Sequence, residues 1–172
     1  MSGSVDLPTT TKDRSTEFSW LYVVVTGATG LALFAVSSAL GAVGWGFADL
    51  PGVDNSVLIR QATLAVFGVV FVGLSIAGRS TIRRRPVAHP ARSPYRTAAV
   101  VLGAAGFAVA VVGAGRWSSH AAADQLRPIL EEAASLNTTG SDGIVITLVA
   151  IALSGAGLVA LTLGRAPAAP GA

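Results

Sequence analysis

The chain has 172 residues, 52% apolar and 12% charged, with a net charge of +3 and a mean hydropathy of +0.64. So little charge cannot clothe a soluble domain of this size. The positive charge gathers in one Arg-rich segment without interleaved aromatics, which excludes a nucleic-acid surface, and the absence of cysteine excludes disulfides and thiol chemistry.

Residues 1–17, rich in Ser, Thr and Asp, read as a disordered cytoplasmic tail. Lys12 and Arg14 precede the first apolar run, as in a cleavable leader, and Ser37-Ser38-Ala39 would serve as a small-residue cleavage site. The stretch from Trp20 to Phe47 is far longer than the ~7–15 residues of a leader's apolar core, so a retained first span is expected. Trp20 and Tyr22 mark one end of it and Trp45 and Phe47 the other, where amphipathic rings favour the headgroup zone. As a straight helix, Trp20 to Trp45 would measure roughly 37 Å, which predicts a tilt or a kink near the glycines.

Three more apolar runs follow. Residues 18–48, 61–78, 97–115 and 143–164 contain no Asp, Glu, Lys, Arg or His. Each can cross a bilayer, whose hydrocarbon core asks for about 20 apolar residues. The fold class is all-α: a polytopic membrane protein with four transmembrane helices in a bundle. The predicted spans are 20–47, 57–78, 96–115 and 143–164, within a domain over 18–166 and before a short cytoplasmic tail at 167–172. Span two reaches full length if Arg60 snorkels to the interface. Its bulky Val66, Phe67, Val69, Val70, Phe71 and Val72 place it at the periphery, with span three more central.

The loop after span two carries Arg79, Arg83, Arg84, Arg85, Arg92 and Arg96 and no acid, which makes it cytoplasmic by the positive-inside rule. The acids Asp49 and Asp54 in one flanking loop, and Asp124, Glu131, Glu132 and Asp142 in the other, suit the opposite side. Both termini are then cytoplasmic, in a cell (plasma) membrane. Pro86, Pro90 and Pro94 keep the Arg-rich loop extended. Arg83, Arg84 and Arg85 are expected to touch anionic lipid or an acidic partner.

Lipid supplies no hydrophobic drive between helices, so small residues at four-residue spacing mark where backbones approach closely. Span three offers Ala99 with Gly103, then Gly106, Ala110 and Ala114. Span one offers Ala28 with Ala32 and Ser37 with Gly41; span four offers Ala152, Ala156 and Ala160, and also Ala150 with Ser154. These ridges serve either the bundle's own packing or a partner subunit. Gly27-Ala28-Thr29-Gly30-Leu31-Ala32 resembles Gly103-Ala104-Ala105-Gly106-Phe107-Ala108, and the end of span two resembles that of span four. The pattern is that of a 2+2 hairpin repeat about an axis along the membrane normal.

Beyond span three, Leu126, Ile129, Leu130 and Ala133 fall at i, i+3, i+4 and i+7, and Pro128 suits a first turn. A short amphipathic helix on the outer side, from about Arg127 to Leu136, is predicted. His120, Asp124, Ser118 and Ser119 come nearest to a catalytic or metal group, but the sequence supplies no third ligand or orienting residue.

Ionisable residues inside a membrane mark proton relays, ion paths and substrate sites, and the four apolar runs 18–48, 61–78, 97–115 and 143–164 hold no Asp, Glu, Lys, Arg or His. A b-type haem would need axial histidines within a span. The expectation is therefore a protein with no enzymatic activity and no cofactor: a non-catalytic integral membrane subunit or scaffold packed against other membrane proteins. The alternative is a small oligomeric channel or transporter for a neutral or weakly hydrated solute, lined by hydroxyls such as Ser37 and Ser38. The expected partners are the lipid bilayer, with anionic lipids at the Arg-rich loop, and other membrane subunits or further copies of the chain.

Overall fold

The computed structural model describes residues 14–46, 56–84, 94–126 and 141–164. Four helices occupy them: α1 (Arg14–Gly46), α2 (Ser56–Arg84), α3 (Pro94–Leu126) and α4 (Ser141–Leu163). Each is long and apolar enough to cross a membrane.

Local chemistry explains several helix ends. α2 extends to Arg84, two residues short of Pro86. α3 opens on Pro94, whose missing N–H is no loss in a first turn. α4 closes with the Gly164 N–H donating to the Ala160 carbonyl at 3.0 Å. The helices also outrun the apolar runs. α2 continues through Arg79 to Arg84, and α3 through Arg116 to Leu126. Neither extension contains Gly or Pro, so polarity ends the apolar span there without ending the helix. α1 runs unbroken for 33 residues, about 50 Å, and begins at Arg14, inside the segment expected as a tail. Leu126 is the last residue of α3, while Ile129, Leu130 and Ala133, the remaining anchors of the predicted outer helix, lie outside the described residues, as does Arg85.

α1 packs on α2 and α3 on α4 as two hairpins, which join through a broad α1–α3 seam and a thinner α2–α4 seam. The pairs α1/α4 and α2/α3 lie across the diagonals. Around a two-fold axis, α1 and α3 would be the diagonal pair; here the hairpins stand side by side, like helix against like. α2 is the least enclosed helix and α1, rather than α3, the most enclosed.

Each hairpin closes on a pair of glycines. A Cβ on Gly30 would stand 3.0 Å from the Gly68 carbonyl oxygen, and one on Gly68 3.2 Å from that of Gly30. The Gly113–Gly143 crossing is equally reciprocal, at 3.1 and 3.0 Å. Such approach brings Cα–H groups onto carbonyls, contacts of about 0.5–1 kcal/mol each. Between the crossings lies a core of Leu33, Leu40, Leu64, Phe71, Ala110, Ala114, Trp117 and Ala150. A second cluster, of Tyr22, Val23, Ala99 and Leu161, sits towards the end where α1 begins.

Gly30→Leu or Gly113→Leu is expected to lower stability by about 1–3 kcal/mol, the usual cost of overpacking. Gly73→Leu and Gly115→Leu, where a Cβ would meet nothing within 4 Å, are expected to leave it unchanged or raise it. Reversible unfolding in mixed micelles reads the difference; equal losses at all four positions would contradict the crossings.

Candidate functional site

Tyr22 lies about one turn inside the span that starts at Ser19, and none of its surface is exposed. Its ring fills a socket made by one glycine from each of the other helices. A Cβ on Gly78 of α2 or Gly103 of α3 would stand 3.0 Å from it, and one on Gly157 of α4 2.9 Å. Its hydroxyl donates to the Ser154 carbonyl on α4 at 2.7 Å. One side chain of α1 thereby touches all three other helices and bridges the α1–α4 diagonal. The expectation of a headgroup anchor beside Trp20 is corrected. Residues two apart on a helix point to different sides, so Trp20 stays half-buried while Tyr22 turns fully inward.

The other diagonal is bridged towards the opposite end. The Arg60 guanidinium lies over the Trp117 ring, 5.4 Å from its centre. The indole Nε1–H in turn donates to the Arg60 carbonyl at 3.4 Å. Arg60, expected to snorkel, is half-buried against this ring. Such a stack is worth about 0.5–1 kcal/mol at exposed sites and more where water is excluded.

Five hydroxyls within the spans bond backbone carbonyls. Thr26, Thr29 and Thr147 each donate to the carbonyl four residues earlier, at 2.8 Å. Ser37 donates to the Gln61 carbonyl at 2.9 Å and Ser75 to that of Val23 at 2.8 Å, and both stitch α1 to α2. The Ser154 hydroxyl fills the notch opened by Gly106 and, among the described residues, is buried without a hydrogen-bond partner.

The small residues singled out in the sequence divide into two groups. Ala99, Gly103, Gly106, Ala110 and Ala114 all lie on the buried side of α3. Gly103 meets Tyr22, and Gly106 meets Ser154 and the Ala150 carbonyl. Ser37 and Gly41 turn inward together onto Gln61. On α4, Ala150 and Ser154 face the interior, whereas Ala152 and Ala156 are exposed. Ala28 and Ala32 of α1 also face outward. Arg83 is exposed near the end of α2, where Arg84 is the last helical residue. Sequence reasoning missed the roles of Gly68, Gly78, Gly113, Gly143 and Gly157. Small size was their only signal, and their partners are remote in the chain.

The outward faces differ in character. Along α2 they are bulky, with Ile59, Val66, Val69, Val70 and Ile76 all exposed. Along α1 from Ala32 onward, the exposed positions are Ala32, Ala35, Ser38, Ala39 and Ala42. Among the described residues no group of three or more His, Cys, Asp or Glu is placed to hold a metal. Compared with known proteins, the chain matches no family model, no curated protein and no solved structure.

Tyr22→Phe is expected to cost about 0.6 kcal/mol, the average for a hydrogen bond between membrane helices. Tyr22→Ala, which empties the socket, is expected to cost about 3–5 kcal/mol. Unfolding free energies of the two variants measure both. A Phe variant as damaged as the Ala variant would shift the weight from ring packing to the hydroxyl.

Proposed function

We propose that this protein is a non-catalytic membrane subunit or scaffold, seated in a cell membrane with both termini cytoplasmic, that packs against other membrane helices through the outward face of α1. One observation carries the reading. Every exposed α1 position from Ala32 to Ala42 is Ala or Ser. Between lipid-immersed helices, small residues permit the close backbone approach on which association depends. Ala152 and Ala156 give α4 a shorter outward patch of the same kind.

The interior supports the same conclusion. Hydroxyls that would line a path through one bundle, Ser37, Ser75, Thr26 and Thr147, are bonded to carbonyls. Partners are then other membrane subunits or a second copy of the chain. Arg83–Arg85 would rest on anionic headgroups, and the 127–136 segment would add an amphipathic contact on the outer side. Gly30 and Gly106, matched in the two resembling segments, each face the second helix of their own hairpin, which supports descent of the hairpins from one unit.

The test is purification of the full chain in nanodiscs, with mass spectrometry and sizing, beside an Ala35→Leu/Ala39→Leu variant. Wild type should carry a stoichiometric membrane partner, and the variant should lose it at least ~10-fold with its melting unchanged. A lone monomer in both preparations would end the reading. A homo-oligomer that passes a neutral solute across liposomes would replace it with the channel.

A further inference from the structure

Exposed residues on α2 recur every three or four positions, Val66, Val69, Gly73, Ile76, Arg79 and Arg83, as a stripe that winds gradually about the helix because its mean spacing falls short of ~3.6 residues. The apolar part runs directly into the two arginines. Arg79 stands about 4.5 Å along the helix from Ile76, and Arg83 about 6 Å further. Val69 lies about 15 Å from Arg79, half the ~30 Å hydrocarbon thickness and hence the depth of one leaflet. At Gly73, between them, a Cβ would meet nothing within 4 Å, so the stripe carries a shallow notch at the depth of the upper chain.

The backbone that carries the arginines is held in place. They flank two residues packed into the bundle: Gly78 lies against the Tyr22 ring, and Ile82 packs on the Tyr22 cluster. α2 is therefore pinned at this level, and Arg79 and Arg83 project from its free side. Two guanidinium groups, one helical turn apart, suit a phosphate with its bidentate geometry.

From this placement we infer that the outward stripe of α2 binds an anionic phospholipid, its phosphate held by Arg79 and Arg83 and its chains lying along Ile76, Gly73 and Val69. The inference rests on the membrane-spanning helices and deepens the headgroup contact proposed for Arg83–Arg85, while the docking of a subunit on α1 can fail without it. It differs from a general attraction of the Arg-rich loop because it assigns the headgroup to ordered helix residues and the chains to a specific face.

Native mass spectrometry of the delipidated full chain, titrated with phosphatidylglycerol or phosphatidylcholine, tests it. Two basic residues at the membrane surface predict a preference for the anionic lipid of about 30-fold. Arg79→Gln/Arg83→Gln should abolish most of that preference, Arg83→Gln alone should remove part, and Arg116→Gln, on α3, should remove none. Soluble glycerol phosphate should not compete. Equal affinity of wild type for the two lipids overturns the inference, and this arm does not depend on any variant folding. So does a preference that survives the double substitution but is lost in Arg84→Gln/Arg85→Gln, which would place it in the loop. Full competition by glycerol phosphate would overturn the role of the apolar stripe.

Discussion

The arrangement of the two hairpins depends on the ring of Tyr22 in its three-glycine socket. Each hairpin closes by itself, on Gly30 with Gly68 or on Gly113 with Gly143. Neither crossing says how one hairpin should meet the other. Lipid chains are as apolar as leucine, so burial alone does not drive that meeting, and it must come from shape and from hydrogen bonds. Tyr22 supplies both. Its ring occupies the volume that Gly78, Gly103 and Gly157 leave free, and its hydroxyl reaches the Ser154 carbonyl across the diagonal. Arg60 and Trp117 bridge the other diagonal towards the opposite end. A square of helices braced along both diagonals resists the shear that side-to-side contacts alone would allow.

This bracing explains why the residues around the Tyr22 ring have so little bulk. A ring that touches three helices requires each of them to come near α1, and glycine or alanine at Gly78, Ala99, Gly103 and Gly157 permits it. Polar groups follow the same economy. Ser37 and Ser75 donate to carbonyls of the neighbouring helix, while the buried threonines bond their own helix. In an apolar medium an unsatisfied hydroxyl is expensive. These bonds spare the interior that cost, and Ser154, buried in the Gly106 notch, is the exception among the described residues.

The helices were legible in the sequence because a bilayer forbids charge, and a run such as 143–164, without a single ionisable residue, suits a membrane span far better than a soluble helix. Their ends were less legible. Apolarity marks the membrane, whereas α2 and α3 persist through Arg79–Arg84 and Arg116–Leu126 wherever no Gly or Pro interrupts. The small-residue ridge of α3 could be read directly, since Ala99, Gly103, Gly106, Ala110 and Ala114 are small at each buried turn. On α4 two ridges were available, and only the position of α3 selects Ala150 and Ser154 over Ala152 and Ala156. Tyr22 misled for a physical reason: an aromatic near a span end has two stable homes, the headgroup zone and a socket. The glycines that decide between them lie far away in the chain.

The outward faces make the bundle lopsided. α1 and α2 are neighbours, yet past the exposed Leu21, Val24 and Leu31 α1 presents Ala32, Ala35, Ser38, Ala39 and Ala42, while α2 presents branched apolar residues that lead to two arginines. Small side chains give lipid little to fill against and allow another backbone to come close. Branched ones cover a helix well in lipid and hold neighbours at a distance. A bundle that docked through α1 would therefore keep α2 turned towards free lipid, and α2 is the least enclosed helix of the four. On this reading the two proposed contacts do not compete: a membrane partner takes the smooth side, and the Arg79–Arg83 stripe stays open to the bilayer in the assembled state.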